Sequence, residues 1–320
     1  MNVYCLQSGF HMKVLEHILS NCDNVDGIAI VKGKRTQSTI DLGFFHDKKI
    51  KVCYVDGKFI FLFFFLFRCF SFLFDKFYIS DFKSIYYNFL VAGLDKKKVF
   101  FFDDGASSIS LLNLYLKKGK VPFLNGGKNM PLFKQLFLKI FGVSVRDVPF
   151  KFESFYTIFP VFGDNIINLN LNSSVGIACD IDKGSVVFLG GPYIEKGIMT
   201  KEIYFEAIKD ALALSYNKAF YYIPHRAEND ENIANVQKLS TNIQVLNVNG
   251  GVEDFYLKKR VVPFQFYSMY STALFTLPVY FCAIKCFCRF VSDDFLIEEH
   301  RQAISSTYKL LRESNNVEFY

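Results

Sequence analysis

Along the first hundred residues, short unbroken apolar runs alternate with stretches of helical period. Residues 3–6 are apolar throughout. After the turn-like Gln7-Ser8-Gly9-Phe10, apolar residues recur at Met12, Leu15, Ile18 and Leu19, the three-and-four spacing of one helix face. Residues 27–31 and 51–55 predict two more strands, 59–74 a helix, 77–79 a strand, 82–91 a helix, and 98–102 a strand closing at Asp103-Asp104-Gly105. From about 119 to 175 the pattern loosens, with Gly126-Gly127, Pro131, Pro149, Pro160 and an Asn-rich patch over 165–172 around one expected helix at 132–141. The alternation then restarts. A strand at 185–189 runs into the tight turn Gly190-Gly191-Pro192, and a helix at 200–214, capped by Thr200, carries the inner stripe Ile203, Ala207, Ile208, Ala211 and Leu212. Strands follow at 219–223, 243–246, 265–268 and 279–281, and a last helix at 294–311. Strands alternating with helices predict parallel sheets covered on both faces. The fold class is therefore α/β, as two doubly wound domains, 1–160 and 175–320, with a cleft between them. Ligands of such sheets bind at the carboxyl ends of the strands.

Composition sharpens this. Half the residues are hydrophobic, which excludes a disordered chain. The 39 Phe and 18 Tyr read as core filling, and the Phe excess also fits AT-rich codon use. The net charge of +6 is mild and its basic clusters are short: Lys96-Lys97-Lys98, Lys117-Lys118 with Lys120, and Lys258-Lys259-Arg260. No finger or RNP-type strand accompanies them, so nucleic acid is not an expected partner. The eight cysteines are scattered in apolar runs with no secretory leader, which predicts reduced thiols in a cytoplasmic protein. Cys282, Cys286 and Cys288 lack a second pair at finger spacing, so no metal is expected. The greasy run at 59–74 is shorter than a membrane span and contains Arg68, so it predicts a buried or interfacial helix. With the basic clusters, it predicts peripheral attachment to the inner face of the inner membrane.

Four places could carry chemistry. His225 follows a strand and a proline, where a parallel sheet presents side chains, and it can give a proton or hydrogen bond to a developing phosphate charge. Arg226 beside it can grip phosphate or carboxylate. Asp103-Asp104-Gly105 closes another strand and can serve as base, as metal ligand or as cap of a helix beginning near Ser107-Ser108. Gly190-Gly191-Pro192 allows close approach to a ligand, and Glu195 is the first acid after it. Ser271 and Thr272 stand at a helix start, either as an anion site or as an ordinary cap. No phosphate-loop or GxGxxG motif stands in the right context, which leaves nucleotide hydrolysis and nicotinamide chemistry without support.

In this order, Phe102-Asp103-Asp104-Gly105, the strand–Gly-x-Pro turn, Tyr222–Arg226 and Ser271–Thr276 resemble the bacterial sialyltransferases of glycosyltransferase family 52, the lipooligosaccharide and capsule sialyltransferases, over about residues 1–290. The resemblance implies a GT-B fold of two Rossmann-like domains, an acceptor-side domain followed by a CMP-binding domain. It implies inverting, metal-independent transfer of sialic acid from CMP-sialic acid to a galactose-type hydroxyl of a surface glycan, without cofactor, and a homodimer. It implies that His225 acts as acid toward the CMP phosphate, which Ser271 and Thr272 hold. Two departures stand out. The dipeptide is His225-Arg226 where the family has His-Pro, and Tyr193 fills the slot of an aspartate base after the Gly-x-Pro turn. Glu195 is then the expected base, with Asp103 or Asp104 as the competing assignment. A GT-B enzyme using another nucleotide sugar, or an inactive envelope-assembly protein of the same fold, are the alternatives.

Overall fold

The computed structural model describes residues 1–320 apart from 21, 23–24, 33–41, 57–59, 82–83, 93, 106–107, 110–111, 113–114, 117–120, 123–134, 137–138, 141–146, 149–151, 170–178, 249, 282 and 314–315. The chain divides into two compact units, Met1–Asn170 and Leu171–Tyr320.

The first unit runs β1 (Asn2–Leu6), α1 (Gly9–Ser20), β2 (Gly27–Lys32), α2 (Leu42–Asp47), β3 (Ile50–Val55), α3 (Ile60–Cys69), β4 (Phe77–Ile79), α4 (Ile85–Val91) and β5 (Val99–Phe102). A short antiparallel pair, β6 (Val121–Pro122) and β7 (Asp147–Val148), is followed by β8 (Ser154–Thr157) and β9 (Ile166–Asn168). Seven strands form one sheet in the order β3-β2-β1-β4-β5-β8-β9, each pair parallel. Every residue of β1, β4 and β5 is buried, because helices cover both faces of a parallel sheet. The aromatic excess has a structural use here. Tyr4, Tyr78 and Phe100 stand opposite one another on β1, β4 and β5 and stack at 5.4 and 5.0 Å, and Phe100 stacks in turn on Tyr156 of β8. Such cross-strand ring pairs add to the area they bury and hold the register of short strands.

The helix expected over 59–74 is shorter. It ends at Cys69, and Ser71–Leu73 form a separate 3-10 turn. Phe74 must turn back to feed β4, and its ring stacks on Phe67 at 4.9 Å, which folds the chain sharply after α3. The helix expected over 82–91 is described from Ile85, and most of the one expected over 132–141 lies outside the described residues.

The second unit runs β10 (Asp180–Leu189), α5 (Lys201–Leu214), β11 (Ala219–Ile223), α6 (Asp230–Gln237), β12 (Ile243–Val245), α7 (Val252–Lys259), β13 (Val261–Ser268), α8 (Ala273–Tyr280), β14 (Lys285–Cys288), α9 (Glu298–Glu313) and β15 (Val317–Phe319). Six parallel strands take the order β12-β11-β10-β13-β14-β15. The strand expected at 279–281 is instead the end of α8 and the residue after it. The apolar run from Leu274 to Phe281 has no period of its own, and such runs do not distinguish a buried helix from a buried strand. The strand of that region is β14, whose Cys286 and Cys288 are fully buried with their thiols pushed well above the usual range by that burial. Cys282, the third member of the sequence cluster, lies outside the described residues. The final helix starts at Glu298, not 294, after a 3-10 turn at Asp293–Phe295. Among the described residues, no helix is long and apolar enough to cross a membrane.

Candidate active site

In both sheets the first strand, β1 or β10, has its successor on one side and a later strand on the other. The direction of winding reverses there, and the carboxyl ends of the flanking strands leave a crevice for ligand. The residues at these two edges define two candidate sites, one in each unit.

In the first unit, four neighbouring strands each deliver a polar side chain. Gln7 and His11 follow β1, Lys32 ends β2, Asp81 follows β4, and Asp103 and Asp104 follow β5. His11 sits in the first turn of α1, nearly fully buried, where its backbone amide donates to Ser8 Oγ at 3.2 Å. Its ring Nδ1 accepts from the Gln7 amide at 3.0 Å, so the ring hydrogen lies on Nε2, which meets Asp104 Oδ1 at 2.8 Å. Gln7 Nε2 donates to Asp81 Oδ2 at 2.6 Å. Burial first, then the charge of Asp104, raises the proton affinity of Asp81; His11, Gln7 and Lys32 pull it back. Burial in turn lowers the Lys32 amine, with Asp81 opposing. The edge is a network of carboxylates in which Asp81 and Asp104 are both partly exposed.

The adjacent pair Asp103-Asp104 divides by role. Asp103 is fully buried, and its Oδ2 accepts from the Ile158 amide at 2.6 Å, tying the end of β5 to the end of β8. Burial pushes its carboxyl up to about 8, against the pull of the Ile158 amide and of the Thr157 and Ser108 hydroxyls. Asp103 is a structural tie, whereas Asp104 stands at the edge. Ser108 Oγ accepts from the Asp104 amide at 2.8 Å.

In the second unit, the loops after β10, β11 and β13 meet the crevice. His225 lies two residues beyond β11, exposed at one edge. Its Nδ1 accepts from the Ala227 amide at 3.1 Å, which leaves Nε2–H as a donor. Loss of hydration, then the positive charges of Arg226 and Lys196, hold the imidazole down to about 4 against the opposing charge of Glu195. The resting ring is thus neutral at pH 7 and offers one hydrogen bond. An anion docked against it would raise its affinity for a second proton.

Glu228, three residues on, organises this loop. Its Oε1 accepts from the His225 amide at 2.6 Å and its Oε2 from the Tyr222 hydroxyl. Tyr222 in turn meets the Tyr204 hydroxyl at 2.7 Å, which accepts from the Gly191 amide at 3.2 Å. The loops after β10 and β11 are therefore joined by one buried chain of hydrogen bonds. Burial pushes the Glu228 carboxyl up to about 7. A Cβ at Gly190 would lie 2.3 Å from Glu228 Oε1 and 2.6 Å from the Tyr222 hydroxyl; one at Gly191 would lie 2.3 Å from the Tyr193 ring. These glycines make room for the protein's own side chains. Pro192 is buried beside them, and Tyr193 is buried against the rings of Tyr204 and Tyr270.

Glu195 is exposed, and its Oε1 accepts from both the Asn229 amide and Asn232 Nδ2 at 2.9 Å. It thereby pins the β10 loop to the amino end of α6, where a carboxylate complements the helix dipole. Ser271 and Thr272 directly precede α8. Ser271 Oγ accepts from the Ala273 amide at 3.3 Å, and the backbone carbonyls of both residues accept from the first-turn amides of the helix. The Ser271 hydroxyl hydrogen remains to meet an anion. A groove of about 510 Å³ lies between Phe290, Tyr308 and Arg312, and none of the residues nominated from the sequence lines it.

Sequence reasoning missed His11, Asp81, Lys32 and Glu228. His11 was absorbed into the polar spacing of α1, and Asp81 follows a three-residue strand. Asp81 obeys the rule that exposed Asp103-Asp104, a polar residue just past an apolar strand; His11, inside α1, does not.

No family model and no curated protein matches the sequence. Solved structures match over almost the whole chain. An alpha/beta-galactoside alpha-2,3-sialyltransferase from the luminous marine bacterium Photobacterium phosphoreum aligns at a TM-score of 0.53 and 12% identity, covering 99% of this chain and 98% of its own. A putative UDP-N-acetylglucosamine 2-epimerase from Listeria monocytogenes aligns at 0.54 and 9%, covering 99% and 82%. The Methanocaldococcus jannaschii UDP-GlcNAc 2-epimerase, solved with UDP-GlcNAc and UDP, aligns at 0.50 and 9%, covering 100% and 89%. The fold is GT-B, two Rossmann-like α/β domains in one chain. At these identities the likeness fixes the architecture alone.

Proposed function

We propose that this chain is a glycosyltransferase that moves sialic acid from CMP-sialic acid to a galactose-type hydroxyl of a surface glycan, with inversion. The observation that carries this reading is the loop after β11. There, a tautomer-fixed imidazole donor, His225, stands beside Arg226 on a turn locked by Glu228. Such a group suits a phosphodiester-type leaving group. It donates a hydrogen bond in the resting state and takes up a second proton when the phosphate arrives, ready to hand it over as CMP departs. Ser271 and the cationic Arg226 share the phosphate charge.

Inversion also needs a base for the acceptor hydroxyl. Asp104 fits best. It is half-exposed at a sheet edge, oriented by His11 Nε2–H, and next to the carboxylate of Asp81. Glu195 already serves two donors, and Asp103 is sealed in the core. In the step itself, Asp104 takes the hydroxyl proton and the acceptor oxygen bonds to the anomeric carbon. The bond from that carbon to the CMP phosphate oxygen breaks, and its electron pair stays with CMP.

The test is release of CMP from CMP-sialic acid with lactose as acceptor, read by mass spectrometry with sialyl-lactose as co-product. Transfer from UDP-sugars alone would move the chain to another donor class; CMP binding with no turnover under any acceptor would remove the enzymatic reading.

A further inference from the structure

The outward face of α3 is apolar. A surface helix turns polar residues to solvent. Here Leu62 and Leu66 are half-exposed at four-residue spacing, and the stripe continues past the helix end through Phe70, Phe72 and Leu73, with Phe72 71% exposed. The inward face is fully engaged: Phe64 packs on Tyr86 and Tyr87, Phe67 stacks on Phe74, and Arg68 donates to the Phe89 carbonyl. Leu62 and Leu66 therefore cannot be tucked in by rotating the helix.

Positive charge stands next to this tip. Phe70–Leu73 lie just before β4 and Lys96–Lys98 just before β5, and the two strands are parallel neighbours with Phe77 opposite Val99. Both segments thus lie at the amino edge of the sheet, opposite the end that carries Asp104. Lys98 Nζ donates to the Phe74 carbonyl at 3.0 Å, joining them directly. Lys76, Lys96 and Lys97 are exposed there. The neighbouring acids are engaged: Asp95 accepts from the Lys97 amide, and Asp75 pairs with the terminal amine.

We propose that this apolar tip and its lysine rim dock the first domain onto an anionic lipid bilayer. The ten-residue helix is about 15 Å long, half a hydrocarbon core, so it lies in the interface and does not span it. Apolar side chains entering the acyl boundary, flanked by lysines at headgroup level, are the two elements interfacial binding needs. A second copy of the chain is a poorer occupant, because a two-fold contact through this face would oppose lysine to lysine. The inference stands apart from the donor and acceptor assignments.

Flotation of the full chain with vesicles tests it. With phosphatidylcholine vesicles containing about a third phosphatidylglycerol, at low salt, most of the protein is expected to float; with pure phosphatidylcholine, or in 0.5 M salt, at least about tenfold less. F72S/L73S is expected to lower binding to the anionic vesicles at least about tenfold, and K96E/K97E to abolish the preference for them. All four positions are exposed, and unchanged melting temperatures would show that the fold survives. The proposal fails if the parent protein stays with the pellet at every composition, or if F72S/L73S floats as well as the parent. It also fails if F72S/L73S dissolves a concentration-dependent dimer of the parent while leaving vesicle binding untouched.

Discussion

The two sheet edges share one topology and use opposite chemistry. In the first unit the edge gathers anions: Asp81 and Asp104 crowd together, and His11 and Gln7 hold them in place with N–H groups. In the second unit the edge repels protons from a histidine: loss of hydration, then Arg226 and Lys196, hold His225 neutral, and its carboxylate, Glu228, is turned inward to grip the loop backbone. The Rossmann-like frame thus sets where side chains converge, and the local charge sets what they do. A carboxylate-rich edge is suited to accept a proton, and a cation-lined imidazole to receive a phosphate and return one.

The largest expected effect is on the anionic edge. Asp104→Asn keeps the shape but removes the acceptor of a proton, and turnover is expected to fall on the order of a thousandfold with the melting temperature little changed. Glu195→Gln, measured beside it, is expected to lose less than about tenfold. The reverse ranking would transfer the base to the second unit and erase the contrast between the edges.

His225→Ala comes next, at about a hundredfold in turnover. Because the resting ring is neutral, binding CMP is expected to draw a proton from solvent near pH 6.5. Calorimetry in buffers of different ionisation enthalpy reads that uptake directly, and His225→Ala should abolish it. Equal uptake in the variant would mean that another group answers the phosphate.

Gly190→Ala probes the brace behind His225. The new methyl meets Glu228 and Tyr222 at distances no folded side chain tolerates, so the loop must shift, at a cost of about 1–3 kcal/mol. Gly184→Ala, whose methyl would approach only Asp182 Oδ1, at 3.3 Å, serves as the control and is expected within about 0.5 kcal/mol of the parent in thermal unfolding.

How much of this was legible in the sequence follows the same division. Strands such as β1 and β5 were readable because parallel strands buried on both faces are unbroken apolar runs. The run from Leu274 to Phe281 shows the limit, since a buried helix leaves the same trace. His225 and the two aspartates were found because they sit directly after strands. Glu228 was not, because its importance lies in a bond to a backbone amide and in the space left by a glycine 38 positions earlier, and neither has a local signature. Nor does sequence separate Asp103 from Asp104. Alternation at the end of β5 turns one into the core and the other to the edge, and only burial tells which.

That separation can be read from stability, with its sign fixed in advance. The Asp103 carboxyl is held near 8 in the folded chain, against an ordinary value near 4 when unfolded. Between those two values the unfolded chain gives up a proton that the folded chain keeps. This contribution to stability is complete below about pH 4 and is lost as pH rises toward 8, at no more than about 1.4 kcal/mol per pH unit. Asp81 and Glu228, also raised, act in the same direction, and His225, lowered, acts in the opposite one. The parent's own pH profile therefore mixes several groups, and the informative quantity is its difference from Asp103→Asn. The amide oxygen can still accept from the Ile158 amide, while the titration is gone. Denaturant unfolding at pH 5, 6, 7 and 8 is expected to show the parent losing stability relative to the variant at each step. Parallel profiles would mean that Asp103 is ionised in the folded chain.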